Sequence, residues 1–314
     1  MKEKLIVIVG PTAVGKTALG VYLAKELNGE VISGDSMQVY KGMDIGTAKV
    51  TEEEQEGVPH HLIDIKNPDE SFSVAEFQER CLPLISFLNE ESKLPLLVGG
   101  TGLYVNAVIH QFDFLKKPIE DTDYRQSLEQ FAAEYGAEKL YQKLLDVDEG
   151  ASELIHPNNI RRVIRALEVY HTTGIPFSLQ QTEENVQSPY DVIMIGLTLD
   201  RSELYSRIEQ RVDKMIEDGL FEEVKMLFDK GIDNCQSIQA IGYKEIYDYF
   251  KGNSSREESI HRLKQNSRRY AKRQLTWFRN KANATWFDMT NQSKDEIFHE
   301  IRKFVEGKLQ QISK

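Results

Sequence analysis

Residues Gly10 to Thr17 read G-P-T-A-V-G-K-T, directly after the apolar run Leu5-Ile6-Val7-Ile8-Val9. A buried strand, a glycine-bounded loop and then a helical pattern is the setting in which G-x-x-x-x-G-K-[ST] forms a phosphate loop. Gly10 and Gly15 let the backbone turn tightly, so that amide N–H groups converge on an anion, and the helix behind adds its positive N-terminal end. Lys16 supplies a point charge to outer phosphate oxygens, and Thr17 offers a hydroxyl to a magnesium ion. The stretch Gly10, Pro11, Thr12, Ala13, Val14, Gly15, Lys16 and Thr17 is therefore expected to hold a di- or triphosphate.

Outward from this loop the first third alternates strands with helices. Leu5–Val9, Glu30–Ser33 and Leu94–Val98 read as strands, and Lys16–Leu27 and Phe72–Asn89 as helices, with Pro83 kinking the second. That order specifies a parallel α/β sheet with its chemistry at the carboxyl ends of the strands. From Lys116 to Tyr190 the pattern turns helical, with no buried strand, after Phe112–Leu115 and up to Ser188-Pro189. Val192–Leu199 then returns as a strand, and Ser202–Phe250 and Ser255–Asn280 read as helical. The expected organisation is a core of 1–115 and 191–314 interrupted by a helical insertion domain, 116–190.

The 314 residues suffice for a large core, and 40% hydrophobic with 28% charged residues is ordinary for a globular protein. No apolar run approaches the ~20 residues of a membrane span, and M-K-E-K leads straight into a strand without a signal segment. Cys81 and Cys235 are isolated, which suits a reducing cytosol and excludes a disulfide framework or a zinc cluster. The expected setting is cytoplasmic, with no membrane partner, and the chain is expected to be a monomer.

A net charge of −11 argues by itself against a nucleic-acid partner. The distribution argues otherwise. From His261 to Phe287 there is no Asp or Glu, whereas Arg262, Lys264, Arg268, Arg269, Lys272, Arg273, Arg279 and Lys281 all fall there. Phosphate contacts respond to the local field, because screening confines them to about 8–10 Å. The stretch reads as a functional basic surface.

Asp35 follows the second strand in V-I-S-G-D-S, at the same sheet edge as the phosphate loop. A carboxylate there holds magnesium through water, serves as a general base, or caps a turn. The strand Leu94–Val98 ends in Gly-Gly-Thr rather than in the metal-holding Asp common in phosphate-loop enzymes. Thr101 thus either offers a hydroxyl to the reacting groups or makes a local cap. Arg207 and Arg211 flank the apolar stripe of Leu204, Ile208, Val212 and Met215; they can clamp a diphosphate or pair with Glu203 or Glu209. Arg161, Arg162 and Arg165 in H-P-N-N-I-R-R-V-I-R fit a nucleic-acid contact or a solvated face. His60 and His61 carry no metal signal and read as structural.

Taken together, these motifs resemble the tRNA dimethylallyltransferases, the isopentenyl-tRNA transferase family. The resemblance covers nearly the whole chain. It rests on G-P-T-A-V-G-K-T at 10–17, D-S-M-Q-V-Y-K-G-M-D-I-G-T-A-K at 35–49, P-H-H-L-I-D-I at 59–65 and L-P-L-L-V-G-G-T-G-L-Y at 94–104. H-P-N-N-I-R-R-V-I-R-A-L-E-V-Y at 156–170, Q-A-I-G-Y-K-E at 239–245 and A-K-R-Q-L-T-W-F-R at 271–279 complete it. The resemblance implies a P-loop NTPase-like parallel sheet flanked by helices. It also implies transfer of a dimethylallyl group from dimethylallyl diphosphate to the exocyclic amine of the adenosine 3′ of a tRNA anticodon.

In that reading the phosphate loop holds a diphosphate leaving group, with Thr17 and Mg2+ neutralising its charge and Lys16 and Arg211 completing the clamp. Asp35 takes the amine proton, and Thr101 lies where adenine and prenyl group meet. Asp35, Ser36, Met37 and Gln38 contact the base. Arg161, Arg162, Arg165, Gly242, Tyr243, Lys244, Arg269, Lys272 and Arg273 grip the anticodon stem-loop, which the insertion covers. The base must leave its stack to reach such a site. An adenylate isopentenyltransferase using free AMP or ATP, and a small P-loop kinase, are the competing expectations.

Overall fold

The computed structural model describes residues 2–111, 121–180 and 188–312. The chain divides into two units, Met1–Gln111 with Ser188–Lys314, and Phe112–Gln187.

In the first unit β1 (Glu3–Val9) enters α1 (Lys16–Glu26) through the phosphate loop, and β2 (Gly29–Ser33), α2 (Glu52–Gln55) and β3 (His60–His61) follow. Next come α3 (Val74–Glu90), β4 (Leu94–Val98) and α4 (Gly102–His110). All strand pairings are parallel, in a six-stranded sheet of order β3-β2-β4-β1-β5-β6. Here β5 is Tyr190–Thr198 and β6 is Thr285–Asp288. Central β1 pairs with β4 through Ile6–Leu96 and Ile8–Val98, and with β5 through Leu5–Val192 and Ile8–Ile195.

Its side chains alternate as a two-sided strand requires. Leu5, Val7 and Val9 enter one apolar layer with Phe77, Ile85, Val105 and Val108 of α3 and α4. Ile6 and Ile8 enter the opposite layer with Leu19 and Leu23 of α1. Each such buried side chain contributes about 1.5–3 kcal/mol relative to exposure, so a one-residue slip of β1 is strongly disfavoured.

The second unit carries α5 (Thr122–Tyr135), α6 (Ala137–Leu145), α7 (Ile160–Thr173) and α8 (Phe177–Gln180). Leu140, Leu144, Val163, Ile164 and Leu167 form its core. The buried Glu168 carboxylate accepts from Arg125 Nη2 at 2.8 Å and Arg165 Nη1 at 2.7 Å. The expected start of the insertion at Lys116, after Phe112–Leu115, lies outside the described residues.

Beyond β5 the first unit continues through α9 (Arg201–Glu217), α10 (Leu220–Asp229), α11 (Tyr243–Phe250), α12 (Arg256–Lys281) and α13 (Lys294–Ile312). Ser202–Phe250, read as one helical stretch, is three helices broken at Gly219 and around the 3-10 turn Ser237–Gln239. The strand β6 and helix α13 were not anticipated. β6 has four residues, too few for an alternation signal, and α13 buries Ile297, Phe298, Ile301 and Val305.

Candidate active site

The loops leaving β1, β2 and β4 meet at one edge of the sheet, which places residues 10–17, Asp35 and Thr101 together. In the phosphate loop Gly10 has φ 149°, Ala13 64° and Gly15 105°. A Cβ at Gly10 would lie 2.6 Å from the Leu197 carbonyl oxygen of β5, so both the dihedral and the close approach require glycine. Gly15 caps α1 with no side-chain acceptor, and no acidic residue occupies the first turn. The N–H groups at that helix end are therefore left to an anion. Thr17 is exposed on this turn and makes no side-chain hydrogen bond among the described residues. Lys16 Nζ folds back to donate to the Pro11 carbonyl at 2.8 Å.

Arg207 and Arg211, left equivalent by the sequence, separate in the structure. Arg207 donates to Glu203 at 2.6 Å on the surface of α9. Arg211 turns into the site, where its Nη1 donates to Thr12 Oγ1 at 3.4 Å. Burial lowers the Arg211 guanidinium below its ordinary range, with Asp35 and Glu54 opposing. Burial first, and the Arg211 charge second, push the Lys16 ammonium down to about 7, again against Asp35.

Asp35 Oδ1 accepts from the Met37 N–H at 2.8 Å and, more weakly, the Gln38 N–H at 3.4 Å. Its other oxygen carries no hydrogen bond among the described residues. The turn that fixes the carboxylate thus leaves half of it free. Thr101 opens α4 without a side-chain cap, and its Oγ1 is buried with no hydrogen-bond partner. No local cap therefore engages the Thr101 hydroxyl. The Tyr270 phenol is its polar neighbour. Burial and the Asp35 charge push that phenol up to about 12, while Thr101, Arg273 and Gln274 pull it down.

Two cavities share a wall beside the phosphate loop. One of about 310 Å³ is lined by Asp35, Ser36, Met37, Ile241, Lys244 and Arg273, with Tyr270. The other, about 850 Å³, is lined by Gly15, Lys16 and Thr17. Ala48, Arg211 and Met215 belong to the walls of both.

Other expected site residues take different places. Gln38 turns inward: its Oε1 accepts from Ser33 Oγ at 2.9 Å, and its Nε2 donates to the Thr47 and Ala48 carbonyls at 3.3 and 3.2 Å. Tyr243, expected on an RNA surface, is wholly buried. Its hydroxyl donates to Glu223 Oε1 at 2.5 Å, and Glu223 accepts the N–H groups of Asp44, Ile45 and Gly46. The pair braces the 44–46 loop instead. The Gly242 N–H donates to Glu245 at 2.8 Å, and Lys244 stays at the cavity wall. His60 and His61 serve the sheet edge, His61 against Glu30 at 2.7 Å.

The basic stretch on α12 is partly neutralised. Arg262 pairs with Glu258 and Asp248, Lys264 with Asp213, and Arg268 with Glu209. Arg269, Lys272 and Arg273 remain exposed, without a carboxylate partner among the described residues. On α7, Arg161 and Arg162 are exposed, while Arg165 is engaged by Glu168.

Sequence reasoning missed Gln274. It is 5% exposed on α12. Its Oε1 accepts from the Thr12 N–H at 2.8 Å, and its Nε2 donates to the Gly100 carbonyl at 3.1 Å. Its spacing was the available signal: Tyr270, Gln274 and Trp277 fall on one helical face.

No group of three or more His, Cys, Asp or Glu side chains able to hold a metal exists among the described residues. Magnesium nevertheless fits the donor set. It keeps most of its waters and binds through few protein ligands plus phosphate oxygens, and the exposed Thr17 Oγ1 at the uncapped N-terminus of α1 suits that role.

Residues 38–281 match the family model described as IPP transferase. A tRNA dimethylallyltransferase of Halalkalibacterium halodurans is 62% identical over 315 residues, with 100% of each chain covered. One of Geobacillus thermodenitrificans is 58% identical, with 98% of each covered. Among solved structures, a full-length tRNA isopentenylpyrophosphate transferase of Bacillus halodurans gives a TM-score of 0.77 at 62% identity, covering 99% of this chain and 98% of that one. A eukaryotic dimethylallyltransferase acting on tRNA gives 0.82 at 31% identity, covering 96% of this chain and 77% of that one.

Proposed function

The chain belongs to the IPP transferase family, and we propose that it transfers the dimethylallyl group of dimethylallyl diphosphate to the exocyclic amine of the adenosine 3′ of a tRNA anticodon, releasing diphosphate. The observation that carries this reading is the shared wall of the two cavities. Arg211 faces both the phosphate loop and the cavity of Asp35, so a diphosphate ester entering one meets a base entering the other.

The free Asp35 oxygen accepts a hydrogen bond from the adenine amine and takes its proton as the carbon–nitrogen bond forms. The carbon–oxygen bond to diphosphate breaks, and the electron pair leaves with the diphosphate. Lys16, Arg211 and the N-terminal amides of α1 hold the charge that develops there. The buried Thr101 hydroxyl orients the reacting amine or the departing oxygen. Thr17 would hold Mg2+, which would further neutralise the leaving group.

Arg269, Lys272 and Arg273 on α12, Lys244 at the cavity wall, and Arg161 and Arg162 on the helical unit are the proposed tRNA contacts. The reading places the reaction on a monomer in the cytoplasm, where tRNA is found.

Incubation with labelled dimethylallyl diphosphate and bulk tRNA, without ATP, tests the reading. Label in tRNA is the expected result. Label in AMP offered instead would establish the adenylate transferase, and strict dependence on ATP would establish the kinase.

A further inference from the structure

The phosphate loop and the end of β4 are held together by a side chain from neither. On one side Gln274 Oε1 accepts the Thr12 N–H, and on the other its Nε2 donates to the Gly100 carbonyl. Both distances are ordinary, and the amide is nearly dry. The fit is closed on the β4 side, since a Cβ at Gly100 would lie 2.0 Å from Gln274 Nε2. One residue further, a Cβ at Gly102 would lie 2.2 Å from the Trp277 ring of the same helix face.

Thr12 lines the Asp35 cavity, and Gly100 adjoins Thr101. Thr12, fixed through its N–H, presents the Oγ1 to which Arg211 donates. Gly100 precedes Thr101, whose buried hydroxyl lies beside the Tyr270 phenol that lines the Asp35 cavity. The Thr12 N–H, engaged by Gln274, is also withdrawn from the set that can face an anion. That leaves the amides closer to α1 to receive the diphosphate.

We propose that Gln274 is a positioning residue: it sets the separation between the diphosphate clamp at the phosphate loop and the Thr101–Asp35 end of the site, acting through Thr12 and Gly100. This inference rests on the transferase reading above. Alkyl transfer requires the leaving group and the attacking amine to be aligned on opposite sides of one carbon. A misplacement of about 1 Å at such a centre costs on the order of 10²-fold in rate. Only an uncharged group with an acceptor and a donor at the same reach satisfies both anchors. Gln meets this, and a protonated Glu does so with its C=O and O–H.

The test uses Gln274→Met and Gln274→Glu in the full chain, with wild type assayed beside them. Gln274→Met keeps the length and removes both hydrogen bonds. It should lower kcat by about 10–100-fold and weaken inorganic diphosphate, with tRNA affinity changed less than about threefold. Gln274→Glu should be impaired at neutral pH, and its activity relative to wild type should rise as the pH falls and the carboxyl protonates. A role confined to packing would lower the melting temperature without a pH-dependent ratio. A folded Gln274→Met with wild-type kcat and diphosphate affinity overturns the proposal. A Gln274→Glu to wild-type ratio that stays flat with pH does so as well, and decides the matter if the Met variant does not fold. If wild type itself transfers nothing to tRNA, it is the transferase reading that fails.

Discussion

Lys16 stands beside Arg211 at the phosphate loop, and burial together with that guanidinium pushes the Lys16 ammonium down to about 7. A bound diphosphate adds negative charge at this position and favours the cationic form, so the Lys16 pKa rises in the complex. The sign follows. Below about 7 the free protein already carries the proton, and affinity is at its plateau. Above it, binding must take up a proton, and affinity falls by up to about tenfold per pH unit. Calorimetry of inorganic diphosphate binding near pH ~8, in buffers of different ionisation enthalpy, should register that uptake. Equal proton uptake by wild type and Lys16→Met, which share the ligand's own titration, would mean that Lys16 is fully charged in the free protein.

Asp35 is expected to matter for turnover and little for binding. Asp35→Asn keeps the turn acceptor for the Met37 N–H and removes the base. General-base removal costs about 10²–10⁴ in rate, and transfer should fall by that range while tRNA and diphosphate still bind. Turnover within a few-fold of wild type would assign Asp35 to the turn alone.

The two arginines of α9 should differ sharply. Arg211→Ala removes a buried charge facing the phosphate loop. It should weaken diphosphate strongly, and by removing a depressing charge it should also shift the pH-dependent loss of affinity upward. Arg207→Ala breaks a surface pair with Glu203, which at an exposed site contributes about 0–1 kcal/mol, and should leave affinity and turnover near wild type. Equal effects of the two substitutions would contradict the geometry.

The contrast between these arginines shows where sequence reading stops. Spacing placed both beside an apolar stripe, and either could turn toward the site; only the path of α9 past Thr12 separates them. The core was legible because each piece carried its own local signal. β1 is a continuous apolar run, the phosphate loop has glycines where the backbone needs them, and Asp35 follows a strand that ends beside that loop. Long-range partners left no such trace. The motif around Tyr243 points to an RNA contact, but its hydroxyl is engaged by Glu223, twenty residues earlier in the chain. Gln274 sits inside a basic stretch, and its two anchors lie in the first third of the sequence. The pairing of Lys264 with Asp213 and of Arg268 with Glu209 is hidden for the same reason, since those carboxylates lie more than fifty residues earlier.

The exposed face of α12 supplies the remaining test, and the pairing pattern selects its residues. Arg262, Lys264 and Arg268 are already engaged by carboxylates, and Arg273 lines the Asp35 cavity, so its loss would mix two effects. Arg269 and Lys272 are exposed and unpaired by any carboxylate among the described residues. The double variant Arg269→Glu with Lys272→Glu should therefore weaken tRNA while leaving diphosphate affinity unchanged. Each lost phosphate contact lowers the slope of log affinity against log salt by about 0.7–0.9, so the pair should flatten it by about 1.4–1.8 units. Both side chains point away from the Gln274 face, and the melting temperature should stay near wild type. An unchanged salt slope in the folded variant would move the principal tRNA contact to Arg161 and Arg162, where the same reversal then becomes the deciding measurement.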